Sequence, residues 1–270
     1  MTTLLEALEL RTGDCAALVG AGGKTTLGYR LLREMTAAGE RAVFTTTTHI
    51  WEPAPGSVDL LIDVDGADGA DAAAIAQRLQ GADWRSATIV GPVVGAPSAV
   101  AVPGAHWPTT QTKRRGIGPE LVCALRTALP NAAWIVEADG SRGLRIKAPA
   151  PTEPVIPPCA DVVAVVACLD ALGRPLDDRI AHRADRIAAL TGCMPGAVVT
   201  PPTLTALLIH PQGGRKGIPA HARAVAILTQ HSDAALHPDA LDIARELRDG
   251  GFSRVLIAAP RADSPLLAVA

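Results

Sequence analysis

The segment that most constrains this chain is Gly20-Ala21-Gly22-Gly23-Lys24-Thr25-Thr26. It follows the apolar run Cys15 to Val19, which reads as a buried strand, and it opens a helical pattern from Thr25 to Ala38 that Gly39 ends. A strand, a glycine turn and a helix N-terminus form an anion site. Backbone N–H groups point at the ligand, the helix dipole favours negative charge, and glycines allow close approach. Used for a nucleotide, Gly20, Ala21, Gly22, Gly23, Lys24, Thr25 and Thr26 wrap the phosphates. Lys24 then reaches the β- and γ-phosphates, and the Thr25 hydroxyl binds Mg2+. The long form G-x-x-x-x-G-K-[ST] is not met, because Leu18 stands at its first position; the chain carries the shorter G-x-x-G-K-T. The dinucleotide pattern G-x-G-x-x-G fails at Thr25. A glycine turn with a solvated lysine shares this composition, but the flanking strand and helix favour the phosphate reading.

Short apolar runs alternate with helical patterns along the rest of the chain, the sign of a three-layer α/β fold with a mainly parallel sheet. Strands are expected at 41–45, 59–64, 87–90, 133–137, 161–168, 222–228 and, as the last, 254–259. Helices are expected at 71–79, 120–129, 184–191, 203–208 and 240–249, with a Pro/Gly-punctuated stretch from 91 to 108. The segment 148–158 holds five prolines and cannot be regular structure. It reads either as a linker or as a rigid loop over a site. Similar strands on both sides favour a single P-loop NTPase-like domain spanning 1–270.

Composition narrows the function classes. At 48% hydrophobic and 19% charged, the chain supports a sizeable core. A net charge of −2 gives no general basic surface for nucleic acid. The longest apolar run, Val162 to Leu169, is eight residues, against about 20 for a membrane span. The opening Met1 to Glu6 has no secretory leader pattern. The five cysteines, 15, 123, 159, 168 and 193, form no C-x-x-C, so reduced thiols in a cytoplasmic protein are expected. Arginine outnumbers lysine by 21 to 4, which directs attention to Lys24, Lys113, Lys147 and Lys216 as places that need a compact point charge.

In an open parallel sheet, ligands bind at the carboxyl ends of the strands. Thr45-Thr46-Thr47-Thr48-His49 falls at one such end, where Thr46 is a candidate Mg2+ ligand and His49 a phosphate or substrate contact; threonine is also simply a good strand residue. Glu137-Ala138-Asp139 follows the apolar strand 132–136, a Walker-B-like pattern. Either carboxylate can hold Mg2+ or orient the attacking group, with Asp139 the catalytic candidate beside Lys24. Arg142 and Lys147 follow as candidate phosphate or substrate cations. Asp170, after the strand 161–168, is a site residue or a helix cap. Two basic glycine loops remain, 113–116 and 210–217, the second carrying Lys216; each reads as an anion contact or as solvated surface. His182 and Asp185 read as a cap and surface pair, and Cys168 as a buried free thiol.

Taken in order, Val19 to Thr26, Thr45 to His49, Glu137 to Ser141, Lys147 to Pro149 and Glu153 to Pro157 make the chain resemble the YqeC-type proteins, accessory proteins of selenium-dependent molybdenum hydroxylases. The likeness continues through 113–116, 169–173 and 210–217. The resemblance implies a P-loop-type nucleotide-binding fold and a part in maturing or inserting a selenium-containing molybdenum cofactor. The partners would be a nucleoside triphosphate and the hydroxylase or its cofactor. An N-K-x-D-like guanine-reading run, found in relatives, is replaced here by Leu228 to Asp233, and the chain's one Asn is Asn131; ATP and GTP both stay open. The residues thus point to an Mg2+-dependent nucleoside triphosphatase. A Mur-ligase-like ligase or a kinase shares the short loop, and a non-hydrolytic nucleotide-gated carrier would also need it. The surplus lysines raise the expectation of a second anionic ligand beside the nucleotide.

Overall fold

The computed structural model describes residues 3–64, 71–95, 98–99, 110–231 and 235–270. Residues 96–97 and 100–108 of the Pro/Gly-punctuated stretch lie outside the described residues, as do Ser232 and Asp233. Nine strands form one sheet: β1 (Cys15–Gly20), β2 (Arg41–Thr46), β3 (Leu60–Asp63), β4 (Ser86–Val90), β5 (Ala132–Glu137), β6 (Val162–Cys168), β7 (Arg223–Thr229), β8 (Arg254–Ala258) and β9 (Leu266–Val269). Their spatial order is β9-β8-β7-β6-β1-β5-β2-β4-β3. Every neighbouring pair is parallel except β8 with β9. The helices are α1 (Leu4–Leu8), α2 (Lys24–Ala37), α3 (Ala72–Gln80), α4 (Pro119–Ala128), α5 (Ala184–Thr191), α6 (Pro201–Ile209) and α7 (Ala240–Asp249).

Both faces of the sheet are covered, which is why its strands are apolar throughout and not alternating. Along β1, Ala16 and Leu18 face one core with Leu8 of α1 and Leu27 and Leu31 of α2. Cys15, Ala17 and Val19 face the other, with Ile75 of α3, Leu125 of α4, Ile187 of α5, Leu204 of α6 and Leu247 of α7. All seven residues of β6 are buried. The sheet draws strands from both sides of the segment 148–158, which holds no helix or strand.

Most expected elements appear within a few residues of their predicted bounds, and short paired strands, a final edge strand and a first helical turn are added to them. The last strand is not 254–259, because the antiparallel β9 follows it at the sheet edge. Helix α1 is a five-residue turn held by a capping box, in which Thr3 Oγ1 accepts from the Glu6 N–H and the Glu6 carboxylate accepts from the Thr3 N–H. The expectation of wholly reduced thiols is also corrected. Cys123 of α4 and Cys159 are joined as a disulfide across 36 residues, with Cα atoms 5.7 Å apart. Sequence spacing gave no sign of it, because the pair is made by α4 packing against the chain that enters β6. Cys15, Cys168 and Cys193 are free. Among the described residues, no helix is long and apolar enough to cross a membrane.

The topology fixes where a ligand crevice forms. The helix after β1 packs on one face of the sheet, whereas α5 and α6, after β6, pack on the other. The loops that leave the adjacent strands β1 and β6 therefore diverge, and this is the switch point where open parallel sheets hold ligands.

Gly28 tests the packing of α2. A Cβ there would lie 2.5 Å from Cε2 and 2.6 Å from Cζ of Phe44, a fully buried ring held edge-on by Tyr29. Replacing a helix-interior glycine by alanine normally stabilises by about 1 kcal/mol. Here overpacking costs about 1–3 kcal/mol, so Gly28→Ala is expected to lower the midpoint of chemical unfolding. A raised midpoint would show that Phe44 can move aside freely.

Candidate functional site

The site starts with the glycine loop between β1 and α2. Gly20, Gly22 and Gly23 have φ of 93°, 91° and 109°, a region that side chains with a Cβ rarely adopt. At Gly20 a Cβ would also meet the Val166 carbonyl oxygen at 2.2 Å, and at Gly22 the Cys168 Cβ at 2.6 Å. The loop is tied to β6 by the Ala21 N–H, which donates to the Val166 carbonyl at 2.9 Å. The N-cap of α2 is Gly23, with no side chain capping the helix, and the first intrahelical bond runs from the Leu27 N–H to the Gly23 carbonyl. The amides of Lys24, Thr25 and Thr26 thus form the donor end of the helix.

Two carboxylates at the end of β5 meet this loop. The Lys24 ammonium donates to the Gly20 carbonyl at 2.6 Å and lies 3.1 Å from Asp139 Oδ1 and 3.8 Å from Glu137 Oε1. The Thr25 hydroxyl donates to Glu137 Oε2 at 2.7 Å. Asp139 Oδ2 accepts from the Gly20 N–H at 3.0 Å, so the carboxylate also fixes the loop's first turn. These contacts follow from register: β1 lies directly beside β5, which places Glu137 and Asp139 next to the loop after Val19.

A second lysine completes the arrangement. The Lys147 ammonium lies 2.9 Å from Asp139 Oδ2 and donates to Glu153 Oε2 at 2.8 Å and to the Gly140 carbonyl at 2.7 Å. Arg183 then grips Glu153 with two nitrogens, at 2.9 and 3.1 Å. Charges alternate from Lys24 through Asp139, Lys147 and Glu153 to Arg183. Lys24 and Asp139 are almost fully buried, at 2% and 1% exposure, where removing one partner of an ion pair is strongly destabilising. Burial pushes the Glu137 carboxyl above the ordinary range, against the pull of Lys24 and of the Thr25 bond. A cavity of about 20 Å³ lined by Gly20, Asp139, Lys147 and Pro154 lies behind the loop, room for about one water molecule.

The other candidates are placed differently. Thr46 is buried, and its hydroxyl donates to the Glu137 main-chain carbonyl at 2.7 Å while accepting from the Thr48 N–H, so it braces β5 from the side. His49 lies on a ribbon, His49–Trp51 paired antiparallel with Lys113–Arg115. Partial burial, then the cations of Lys113 and Arg115, lower its pKa. Arg114 of that ribbon is not a free anion contact, because it bonds Glu52, Asp63 and the Gly91 carbonyl. Arg142 is exposed in a left-handed turn before Gly143. Asp170 caps no helix; it contacts His231. The Lys216 ammonium donates to the carbonyls of Ala150, Pro151 and Glu153.

The four lysines therefore do not form a common cationic rim for a second anion. Lys147 joins Lys24 at Asp139 but is neutralised there, Lys216 is spent on carbonyls, and Lys113 stands over the Trp51 ring. Glu153, Arg183 and His231 carry no local site pattern in the sequence beyond a carboxylate in a proline-rich run.

The profile of the YqeC protein family matches residues 16–185, which span the glycine loop, both carboxylates, Lys147, Glu153 and Arg183. The chain belongs to the YqeC family. It is 30% identical over 220 residues to a protein of Escherichia coli strain K12 described as "Uncharacterized protein YqeC", covering 80% of this chain and 75% of the other. No solved structure matches it.

Glu153 supplies a pH test of the ion chain in this YqeC protein. Burial works against its carboxylate, but the Arg183 and Lys147 bonds outweigh it and bring the pKa from 4.5 to about 2. A depressed carboxylate pKa adds stability that is complete above 4.5 and disappears as pH falls towards 2. Glu153→Gln should lower the melting temperature at neutral pH, and the gap to wild type should close through that acid window. A gap that stays constant with pH would mean that Glu153 contributes packing and not charge.

Proposed function

We propose that this protein binds a nucleoside triphosphate with Mg2+ at the glycine loop and hydrolyses it. The observation that carries the reading is the meeting of Lys24, Thr25, Glu137 and Asp139 at the N-terminus of α2. Phosphate oxygens brought to that point accept from the first-turn amides, and Lys24 exchanges a carboxylate partner for a phosphate one. Asp139 is then not left alone, because Lys147 still faces it. The Thr25 hydroxyl and the Glu137 carboxylate, already 2.7 Å apart, are a hard-oxygen pair of the kind Mg2+ takes. Bound there, Mg2+ supplies charge neutralisation between phosphates. Asp139 holds the loop through the Gly20 N–H, so its part is to position Lys24 and the loop. Catalysis on this reading is positioning and preorganised electrostatics.

Cofactor maturation enters through the family resemblance. In that setting a cytoplasmic protein couples nucleotide turnover to the insertion of a selenium-containing molybdenum cofactor into a hydroxylase. ATP and GTP are both compatible with the loop.

Thermal-shift measurements with ATP, GTP and CTP, each with Mg2+, test the reading. A ligand at one hundred times its Kd stabilises by about 2.7 kcal/mol, and absence of a shift with all three would overturn it. Lys24→Ala should abolish the nucleotide-induced shift. Because Lys24 also neutralises buried carboxylates, the variant's own melting temperature falls too; the diagnostic is the difference with and without nucleotide. Glu137→Gln should reduce Mg2+-dependent phosphate release by about 100-fold or more, while nucleotide binding without Mg2+ survives. Unchanged metal dependence in Glu137→Gln would remove this carboxylate from the metal site.

A further inference from the structure

A second set of ligand-type side chains lies on the same sheet edge, at the switch point beside the glycine loop. Cys168 ends β6, Asp170 stands two residues on in the short turn Leu169–Ala171, and His231 lies two residues beyond Thr229, the end of β7. Cys168 and Thr229 are direct partners in the β6–β7 ladder, so sheet register brings the three together. One ligand atom from each lies within 4.8 Å of the others. Cys168 Sγ is 3.9 Å from His231 Nδ1, and that nitrogen contacts Asp170 Oδ2.

We propose that Cys168, Asp170 and His231 bind a divalent cation of the zinc class, as a three-ligand site whose fourth position faces solvent. The donor set is sulfur, nitrogen and oxygen, which suits zinc and its borderline-soft neighbours; Mg2+ takes oxygens. At metal–ligand bonds of about 2.0–2.3 Å, tetrahedral donors stand roughly 3.3–3.8 Å apart, so small side-chain rotations convert the observed cluster into a ligand set. Cys168 is buried and fixed by its N–H bond of 3.0 Å to the Arg145 carbonyl. The side chains of Asp170 and His231 are 26% and 60% exposed, which leaves them free to turn and gives an ion a way in. On binding, the Cys168 proton passes to solvent, and thiolate and carboxylate together balance the divalent charge.

The site abuts the loop. Gly22 packs against Cys168 so closely that a Cβ would come within 2.6 Å of its Cβ, and the Thr229 hydroxyl donates to the Gly22 carbonyl at 2.5 Å. An ion held here would rest against the back of the glycine loop, distinct from the Thr25–Glu137 oxygen pair.

Cobalt(II) titration of the chelator-treated full chain tests the proposal without any nucleotide, so its failure and that of the nucleotide reading are separable. One equivalent should bind with visible d–d bands and a near-ultraviolet thiolate-to-cobalt charge-transfer band, both lost on adding zinc. Cys168→Ser should remove the charge-transfer band. His231→Ala and Asp170→Asn, at more exposed positions that the fold tolerates, should weaken binding by at least about tenfold. Cys193→Ser, at a free thiol that is partly exposed and outside the cluster, should leave the spectrum unchanged. No charge-transfer band in the wild type, or a band lost in Cys193→Ser and kept in His231→Ala, would overturn the site.

Discussion

The buried contact between Asp139 and two lysine ammonium groups is what the rest of this edge of the molecule depends on. Asp139 is 1% exposed and faces Lys24 at 3.1 Å and Lys147 at 2.9 Å. A carboxylate so buried would lose its charge without cations, and either lysine alone would be equally unfavourable there. The pairing draws together the loop after β1, the loop after β5 and the proline-rich segment, whose Glu153 takes the outer side of Lys147. Three carboxyl groups, those of Glu137, Asp139 and Glu153, meet three cationic side chains, Lys24, Lys147 and Arg183. With cationic side chains matching the carboxyl groups in number, a polyanion of the kind proposed above would compete for Lys24 while Lys147 still faces Asp139.

Two ion chemistries stand on one sheet edge, and the topology separates them. The first turn of α2 and the last residue of β5 bring hydroxyl and carboxylate oxygens, Thr25 and Glu137, together. Loops after β6 and β7 bring a thiol, a carboxylate and an imidazole. Gly22 stands between the two groups, packed on Cys168 and bonded through its carbonyl to Thr229. On the two proposals made above, hard oxygens on one side and a soft donor on the other would select different cations from one solution.

The parts of this architecture legible in the sequence are those that depend on local pattern. Both-faced burial makes β1, β5 and β6 continuous apolar runs, and the glycines of the loop announce a backbone that side chains would block. The carboxylates at the end of β5 were visible as a strand ending in acid. What local pattern could not carry was decided at long range. Thr46 stands at a strand end as expected, yet the neighbouring Glu137 carbonyl takes its hydroxyl. Lys216 and Lys147 are similar in their neighbourhoods of glycine and proline, but one meets carbonyls and the other carboxylates. His231 becomes a partner of Cys168 only through the pairing of β6 with β7, in which Cys168 faces Thr229, 61 residues further along the chain. Helix α1 was too short to show a period, although its Thr3-x-x-Glu6 signature was present.

Lys216 holds the proline-rich segment by three main-chain carbonyls, those of Ala150, Pro151 and Glu153. A carbonyl is the same whatever side chain its residue carries. The grip therefore reads the path of that segment and not its lettering, and positions 150 and 151 are open to substitution so long as the chain keeps its course. The burden falls instead on position 216, where arginine would bring a flat, wider fork in place of a point charge that three converging oxygens surround. In a chain that otherwise uses arginine for almost every cation, that requirement explains why lysine is kept at 216.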